Sequence, residues 1–450
     1  MLTSLFHRKD IQVVSVLGII ALVIKFVPFL NSGLFVFGHD TGFYRRYLAQ
    51  PFVSFPNTPV PGLDHTIYLP RIILDIWRTI CPQPDFALFT CYLFFSLLGT
   101  LCIYVYSSHY LSKRLTLCAT GLYILSAVQF LAYQNFFFKE TVALPLFLAT
   151  LLFLERKNYF LATLFGVLVI LTQQTTSVIL ICIIALGFII RTILLKEFSI
   201  AYIFSGTAIL ASYLFLHPHV AQKIASPPVG IFLTQTEYIL WSIPIIALTF
   251  IGLPNFFKSS KESPILLAAI AVPLAFIVFH LPFYNRIYIF TDMFLIIPAA
   301  YGIERIFHLR THLVQNFGKI AICLMSYVYC FILFYAVKIQ TPLIDIKTQQ
   351  SLTQLTLLPS ASSVITSPRL LPWVQGWSTA KVYAPGNLKE PHSLGDWNRY
   401  WTHQVPNFEK RFLTSFPKPT YVFIDNYEKQ YRPDCAKEIS ENLFSLESCQ

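Results

Sequence analysis

The sequence predicts a polytopic α-helical membrane protein with about eleven spans and a small C-terminal α/β domain. Three observations carry this prediction. The 450 residues are 55% hydrophobic and only 12% charged, with a mean hydropathy of +0.59, whereas soluble domains are about a quarter charged. Apolar segments recur along residues 11–338, many of them near the roughly 20 residues that cross a bilayer. After Lys338 the pattern changes to turn clusters and short β-like runs.

The predicted spans lie near 11–30, 86–107, 115–132, 138–154, 159–172, 175–194, 199–216, 237–256, 264–281, 286–303 and 317–338. Those shorter than the bilayer are expected inside the bundle, where thickness matters less. The first span follows Arg8-Lys9. No small-residue cleavage site follows it and further spans do, so it is expected to be a retained anchor rather than a signal peptide.

Charge sets the orientation. Alternate connections carry Lys113-Arg114, Arg156-Lys157, Arg191 with Lys196, Lys258 with Lys261, and Arg305, Arg310 and Lys319, on the side of Arg8 and Lys9. The opposite short connections carry Lys139, Lys223 and Arg286. The positive-inside rule then puts the N-terminus in the cytoplasm, and an odd number of spans puts the tail outside. The expected location is a plasma membrane. Lys plus Arg exceed Asp plus Glu by 33 to 22, but from Thr341 onward the count is 11 to 10. The basic excess thus belongs to the membrane part, which argues against a nucleic-acid partner.

Two domains are expected: 1–340 in the membrane and 341–450 outside it. The first outer loop, about 31–85, opens with Gly38-His39-Asp40-Thr41-Gly42-Phe43-Tyr44-Arg45-Arg46 and continues through a Pro-rich stretch from Pro51 to Pro61. Leu69, Ile72, Ile73, Ile76, Trp77 and Ile80 then recur at helical spacing, with Arg71, Asp75 and Arg78 on the other face. This is an amphipathic helix, either lying in the outer interface or packed on the protein. In the tail, 363–366, 381–383 and 421–425 read as strands and 435–443 as a helix. Of the nine cysteines most sit in apolar spans as small hydrophobes. Cys435 and Cys449 pair if the tail is outside the cell.

The candidate chemistry lies on the outer side. Asp40 is either the cap of a helix starting at Thr41 or a general base that takes a proton from an acceptor hydroxyl. Glu140 beside Lys139 is either an interfacial ion pair or a second acid near an acceptor or a metal. Arg45, Arg46, Lys139, His217, His219 and Arg286 are cations able to face a phosphate, and arginine grips phosphate oxygens in pairs. His39, Tyr44 and Tyr284 flank these groups. His217 and His219 are also weak metal-ligand candidates. Asp292, deeper in its span, needs a cationic partner or a cavity. The run Gln173-Gln174-Thr175-Thr176-Ser177 caps a helix or floors a cavity. No Walker loop, nucleotide fingerprint or Gly-x-Ser-x-Gly is present, which argues against ATP-driven transport and serine hydrolysis.

The pattern resembles the GT-C superfamily of integral membrane glycosyltransferases, which includes protein O-mannosyltransferases, aminoarabinose transferases and oligosaccharyltransferase catalytic subunits. The shared features are the acid in Gly38-His39-Asp40-Thr41-Gly42-Phe43-Tyr44-Arg45, the Lys139-Glu140 turn, the small turn Leu171-Thr172-Gln173-Gln174-Thr175, the Tyr284-Asn285-Arg286 start of a late span, and a closing outer domain. The Trp-Trp-Asp acceptor motif of oligosaccharyltransferases is absent. The resemblance implies a hexosyl or pentosyl transferase with a polyprenyl-phosphate-sugar donor and a glycan, lipid or protein acceptor. It makes Asp40 the catalytic acid and puts Arg286 at the lipid phosphate. Its cofactor is either none or a divalent ion, Mg or Mn. The rival readings are a polysaccharide polymerase or ligase and a lipid-linked sugar transporter or flippase.

Overall fold

The computed structural model describes residues 8–30, 38, 40–49, 69–217, 232–259, 263–308, 312–339, 344–385, 392–402, 408–425, 428, 432–433 and 435–449. The helices run α1 (Arg8–Leu30), α2 (Thr41–Ala49), α3 (Leu69–Ile80), α4 (Pro84–Tyr110), α5 (Lys113–Leu125), α6 (Ala127–Gln134), α7 (Phe138–Glu155), α8 (Tyr159–Ile170), α9 (Gln174–Leu194), α10 (Ile200–Leu216), α11 (Gln235–Ser259), α12 (Pro264–Val278), α13 (Tyr284–Phe307) and α14 (His312–Ile339). The chain divides into two compact units, Met1–Leu30 with Tyr92–Gln340, and Asn31–Cys91 with Thr341–Gln450.

In the first unit a helix lies over each of the eleven predicted segments, one of them as the pair α5 and α6. Among the described residues, α4, α9, α11 and α13 are long and apolar enough to cross a membrane. The pair α5 and α6, bent by 46°, makes a fifth if it is one span. Helices α8, α10 and α12 are apolar but shorter.

Helix α13 is the central strut, buried along most of its length. It packs on α11 backbone to backbone at two glycines. A Cβ on Gly252 would lie 2.0 Å from the Pro298 carbonyl oxygen, and one on Gly302 would lie 2.0 Å from that of Leu248. Small residues permit such close crossings where helices gain little from hydrophobic burial against each other.

The bend between α5 and α6 is held by Asp292 of α13, which is fully buried. Its carboxylate accepts from Ser126 Oγ at 2.7 Å, Gln129 Nε2 at 3.1 Å and Ser242 Oγ at 3.3 Å. Ser126 also caps α6 by accepting from the Gln129 amide. The expected cationic partner of Asp292 is thus replaced by neutral donors from two other helices. A buried carboxylate is tolerated when such bonds satisfy it.

The second unit contains a five-stranded sheet. After α15 (Ile346–Gln354) come β1 (Ser363–Thr366), α16 (Leu371–Trp377), β2 (Lys381–Tyr383), α17 (Leu394–Thr402), α18 (Phe408–Thr414), β3 (Thr420–Phe423), β4 (Lys437–Ser440) and β5 (Leu443–Ser445). The strand order is β2-β1-β3-β5-β4. The β1 strand is parallel to β2 and β3, with Val364 opposite Val382 and Tyr421, and β5 runs antiparallel to β3 and β4. Trp397, Tyr400, Phe412 and Phe416 pack over one face against Ile365, Val422 and Phe444. The helix predicted over 435–443 is instead the β4–β5 hairpin. Its pairing with β3 overrides the local helical spacing, and the Cys435–Cys449 disulfide closes the segment.

Helices α2 and α3 fold within this second unit. Helix α2 lies on α16 so closely that a Cβ on Gly42 would meet the Pro372 carbonyl oxygen at 1.7 Å. Helix α3 leaves Ile72, Ile76 and Ile80 exposed, an apolar stripe of the kind the amphipathic reading expects.

The glycine contact gives a stability test. Gly302→Ala should lower unfolding stability in detergent by about 1–3 kcal/mol through overpacking. Gly121→Ala, where a Cβ meets nothing within 4 Å, should leave it unchanged. Equal melting of both variants would contradict the close α11–α13 crossing.

Candidate functional site

Three helix ends of the first unit bring polar groups together. Glu140 stands in the first turn of α7, where the helix dipole favours an acid. Its Oε1 accepts from Gln173 Nε2 at 2.6 Å and from Arg286 Nη1 at 3.2 Å. Gln173 is the N-cap of α9, and its own Oε1 accepts from the Thr175 amide at 2.7 Å. One side chain therefore caps a helix and holds the acid. Arg286, in the first turn of α13, also lies over the Phe137 ring, 5.6 Å from its centroid. The Glu140 side chain is 11% exposed and that of Arg286 is 34% exposed, so the pair is sheltered but reachable.

The turns that present these residues hold backbone strain. Phe136, two residues before α7, has φ 56°, and Phe283, immediately before α13, has φ 69°. Bulky residues avoid the left-handed region, and such strain costs on the order of 1–3 kcal/mol where the surroundings enforce it. Phe136 is enforced by packing against Tyr92 and Phe138. Tyr92 in turn stacks on Tyr133 at 4.7 Å and donates to its carbonyl oxygen at 2.7 Å.

A cavity opens beside Glu140, lined by Lys25, Gln129, Tyr133 and Glu140 among polar residues and by Leu144 and Phe290 among apolar ones. Lys25 was not singled out in the sequence. The signal that marks it is a lone lysine in the run Ile11 to Leu30.

The other candidates are placed as follows. Lys139 and Tyr284 are half-buried, Lys139 next to Glu140 in α7 and Tyr284 at the start of α13, 5.0 Å from the His280 ring. His217 ends α10, with its ring 5.1 Å from Tyr213 and its Nε2 3.4 Å from the Ile170 carbonyl oxygen. His39 and His219 lie outside the described residues.

Asp40, Tyr44 and Arg45 belong to the second unit. The Asp40 carbonyl oxygen accepts the amides of Phe43 and Tyr44, the main-chain position of a helix cap on α2. Tyr44 is buried. Arg45 is heavily engaged: its guanidinium donates to both Asp85 carboxylate oxygens at 2.7 and 3.2 Å and to the Gly376 carbonyl oxygen at 2.8 Å, and it lies 4.0 Å from the Trp377 ring. Arg46 donates to the Gln375 and Ser378 carbonyl oxygens. Both arginines thus fasten α2 to α16. Burial, then the hydrogen bond to Asp75, push the Tyr47 phenol up to about 12, so it stays a neutral donor to Asp75 at 2.6 Å.

Among the described residues no group of three or more His, Cys, Asp or Glu is placed to hold a metal ion.

The Glu140–Arg286 contact predicts a coupling. Arg286→Met should cost about 1–3 kcal/mol of stability by leaving Glu140 without its cation, and Glu140→Gln in the same chain should restore part of the loss. A double-mutant cycle on the purified protein reads this coupling. Purely additive effects would contradict the pair.

No family model matches the sequence, and no curated protein matches it. Solved structures do resemble the fold. The oligosaccharyltransferase AglB of Archaeoglobus fulgidus, in complex with an inhibitory peptide and a dolichol-phosphate, superposes with a TM-score of 0.63 at 12% identity, over 92% of this chain and 69% of its own. ArnT of Cupriavidus metallidurans bound to undecaprenyl phosphate gives 0.64 at 12% identity, over 96% of this chain and 97% of its own. The arabinofuranosyltransferase AftD from Mycobacteria gives 0.60 at 12% identity, over 91% of this chain and 35% of its own. The chain has a GT-C-like fold.

Proposed function

We propose that this chain is a membrane glycosyltransferase that moves a sugar from a polyprenyl-phosphate donor to an acceptor on the outer face of the membrane. The observation that carries the reading is the convergence of Glu140, Gln173 and Arg286 beside a cavity in a GT-C-like fold. ArnT and AglB, which share the fold, were solved with undecaprenyl phosphate and dolichol-phosphate respectively.

In the proposed reaction the acceptor hydroxyl gives its proton to the Asp40 carboxylate. The acceptor oxygen bonds to the anomeric carbon as the bond from that carbon to the phosphate oxygen breaks. The polyprenyl phosphate leaves with the electron pair and its added negative charge. Arg286 faces that charge, with Lys139 next to the Glu140 that binds Arg286, since a cation at a developing anion lowers the barrier. Glu140 and Gln173 keep the Arg286 guanidinium in place. If a Mg or Mn ion takes part, the Glu140 carboxylate would offer it an oxygen ligand and the ion would add positive charge beside the leaving phosphate.

The same reading makes the eleven helical segments eleven spans, with the N-terminus cytoplasmic and residues 341–450 outside as an α/β domain in a plasma membrane. The Cys435–Cys449 disulfide supports that side, because such bonds persist in oxidising compartments. The exposed isoleucines of α3 fit a helix lying in the outer interface.

The test is transfer of radiolabelled sugar from a polyprenyl-phosphate donor in membranes. Asp40→Asn should lose about 100-fold or more in rate with donor binding retained, the range for a removed general base. Wild-type rates in that variant would leave Asp40 as a helix cap only. Failure of the wild-type protein to transfer sugar from any donor that it binds would contradict the transferase reading.

A further inference from the structure

Lys25 is the feature the proposed reaction leaves unused. It sits in α1, five residues before the helix ends at Leu30, and is only 8% exposed. A rise of about 1.5 Å per residue puts it roughly 7 Å inside the end of the helix. Among the described residues it makes no ion pair. Its ammonium lies 4.3 Å from the centroid of the Tyr133 ring, a cation–π contact that offsets only about 1–2 kcal/mol. A buried charge without a counter-ion is costly and marks a functional position in a membrane helix.

The surroundings say what would compensate it. Lys25 and Tyr133 line the cavity together with Gln129 and Glu140. The lining holds one cation, Lys25, and one acid, Glu140; the Glu140 carboxylate is already engaged by Arg286 at 3.2 Å, which leaves Lys25 without an ion pair among the described residues. The Tyr133 hydroxyl is buried, with no hydrogen-bond partner among the described residues, and it is a donor waiting for an acceptor. The rest of the lining is mostly apolar, Leu144 and Phe290 among it, with Ser96, Tyr123 and Thr141 as its further polar members. A cation, an unpaired hydroxyl and apolar walls at this depth suit a phosphate carried on a hydrocarbon chain better than a freely dissolved ion.

We infer that Lys25 and Tyr133 form a phosphate-binding subsite for the lipid carrier, built from the first span and distinct from the contact made by Arg286. This rests on the lipid-phosphate donor of the proposed function. Lys25 supplies the charge and Tyr133 a directed hydrogen bond. Tyr92, stacked beneath Tyr133, fixes the ring.

The experiment measures binding by the purified full-length protein in detergent, with undecaprenyl phosphate, undecaprenol and inorganic phosphate as probes. The wild type should bind undecaprenyl phosphate at least about tenfold more tightly than undecaprenol, a difference of about 1.4 kcal/mol. Lys25→Met should abolish that preference while leaving undecaprenol binding unchanged, and Lys25→Arg should keep most of it. Tyr133→Phe, which removes one oxygen and leaves the packing intact, should weaken phosphate binding several-fold and serves as the second probe if Lys25→Met misfolds. A Lys25→Met protein with the wild-type preference would overturn the inference. Lys25-dependent binding of inorganic phosphate without binding of undecaprenyl phosphate would overturn its lipid source. Sugar transfer by a Lys25→Met protein that keeps the preference would sink this subsite and leave the transferase standing. Loss of the preference in Lys25→Met, together with a wild-type protein that transfers no sugar from any donor it binds, would do the reverse.

Discussion

A charge placed inside an apolar bundle must find a partner, and the first unit is arranged around that constraint. Asp292 is satisfied by three neutral donors, two from the α5–α6 bend and one from α11. That arrangement ties the bend to the central helix. Glu140 and Arg286 satisfy each other across α7 and α13, with Gln173 of α9 as the third member. Each network joins helices far apart in sequence; fully buried Asp292 has no water to solvate it and relies on its donors alone. Lys25 is the exception: among the described residues it forms no ion pair and lies over the Tyr133 ring. An exception of this kind is where a ligand is expected.

In the second unit charge serves attachment. The Arg45 and Arg46 guanidinium groups donate to main-chain carbonyls of the α16 segment, and Gly42 and Gly376 let the two helices touch backbone to backbone. Helix α2 is therefore part of the same folded body as the tail. Asp40 sits at the start of the helix so attached, on a main chain already fixed by the amides of Phe43 and Tyr44.

The helices were legible because long apolar runs broken by polar turns have few other solutions in a membrane protein. The strands at 363–366, 381–383 and 420–423 were legible from β-branched and aromatic runs. The β4–β5 hairpin was not, since the local spacing around Lys437 and Glu438 permits a helix and only the pairing with β3 decides against it. Glu140 and Arg286 were each marked by rarity, but 146 residues separate them, and nothing local shows that they meet. The arginines of the first loop looked available because their acceptors are main-chain carbonyls of the α16 segment, which a sequence does not display, and, for Arg45, the Asp85 carboxylate 40 residues away. Lys25 was visible as a lone cation within an apolar run, yet its depth and its empty surroundings are properties of the folded bundle.

The central claim is that the ends of α6, α7, α9 and α13 around Glu140 and Arg286 form the site of a lipid phosphate. Photocrosslinking with a polyprenyl phosphate carrying a diazirine near its phosphate, followed by peptide mapping, tests it most directly. The account predicts label on residues 133–141, 173–176 and 284–290, competed by unlabelled polyprenyl phosphate. Label confined to the opposite helix ends, 113–116, 156–159 and 303–308, or spread evenly over the lipid-facing helices without competition, would contradict it.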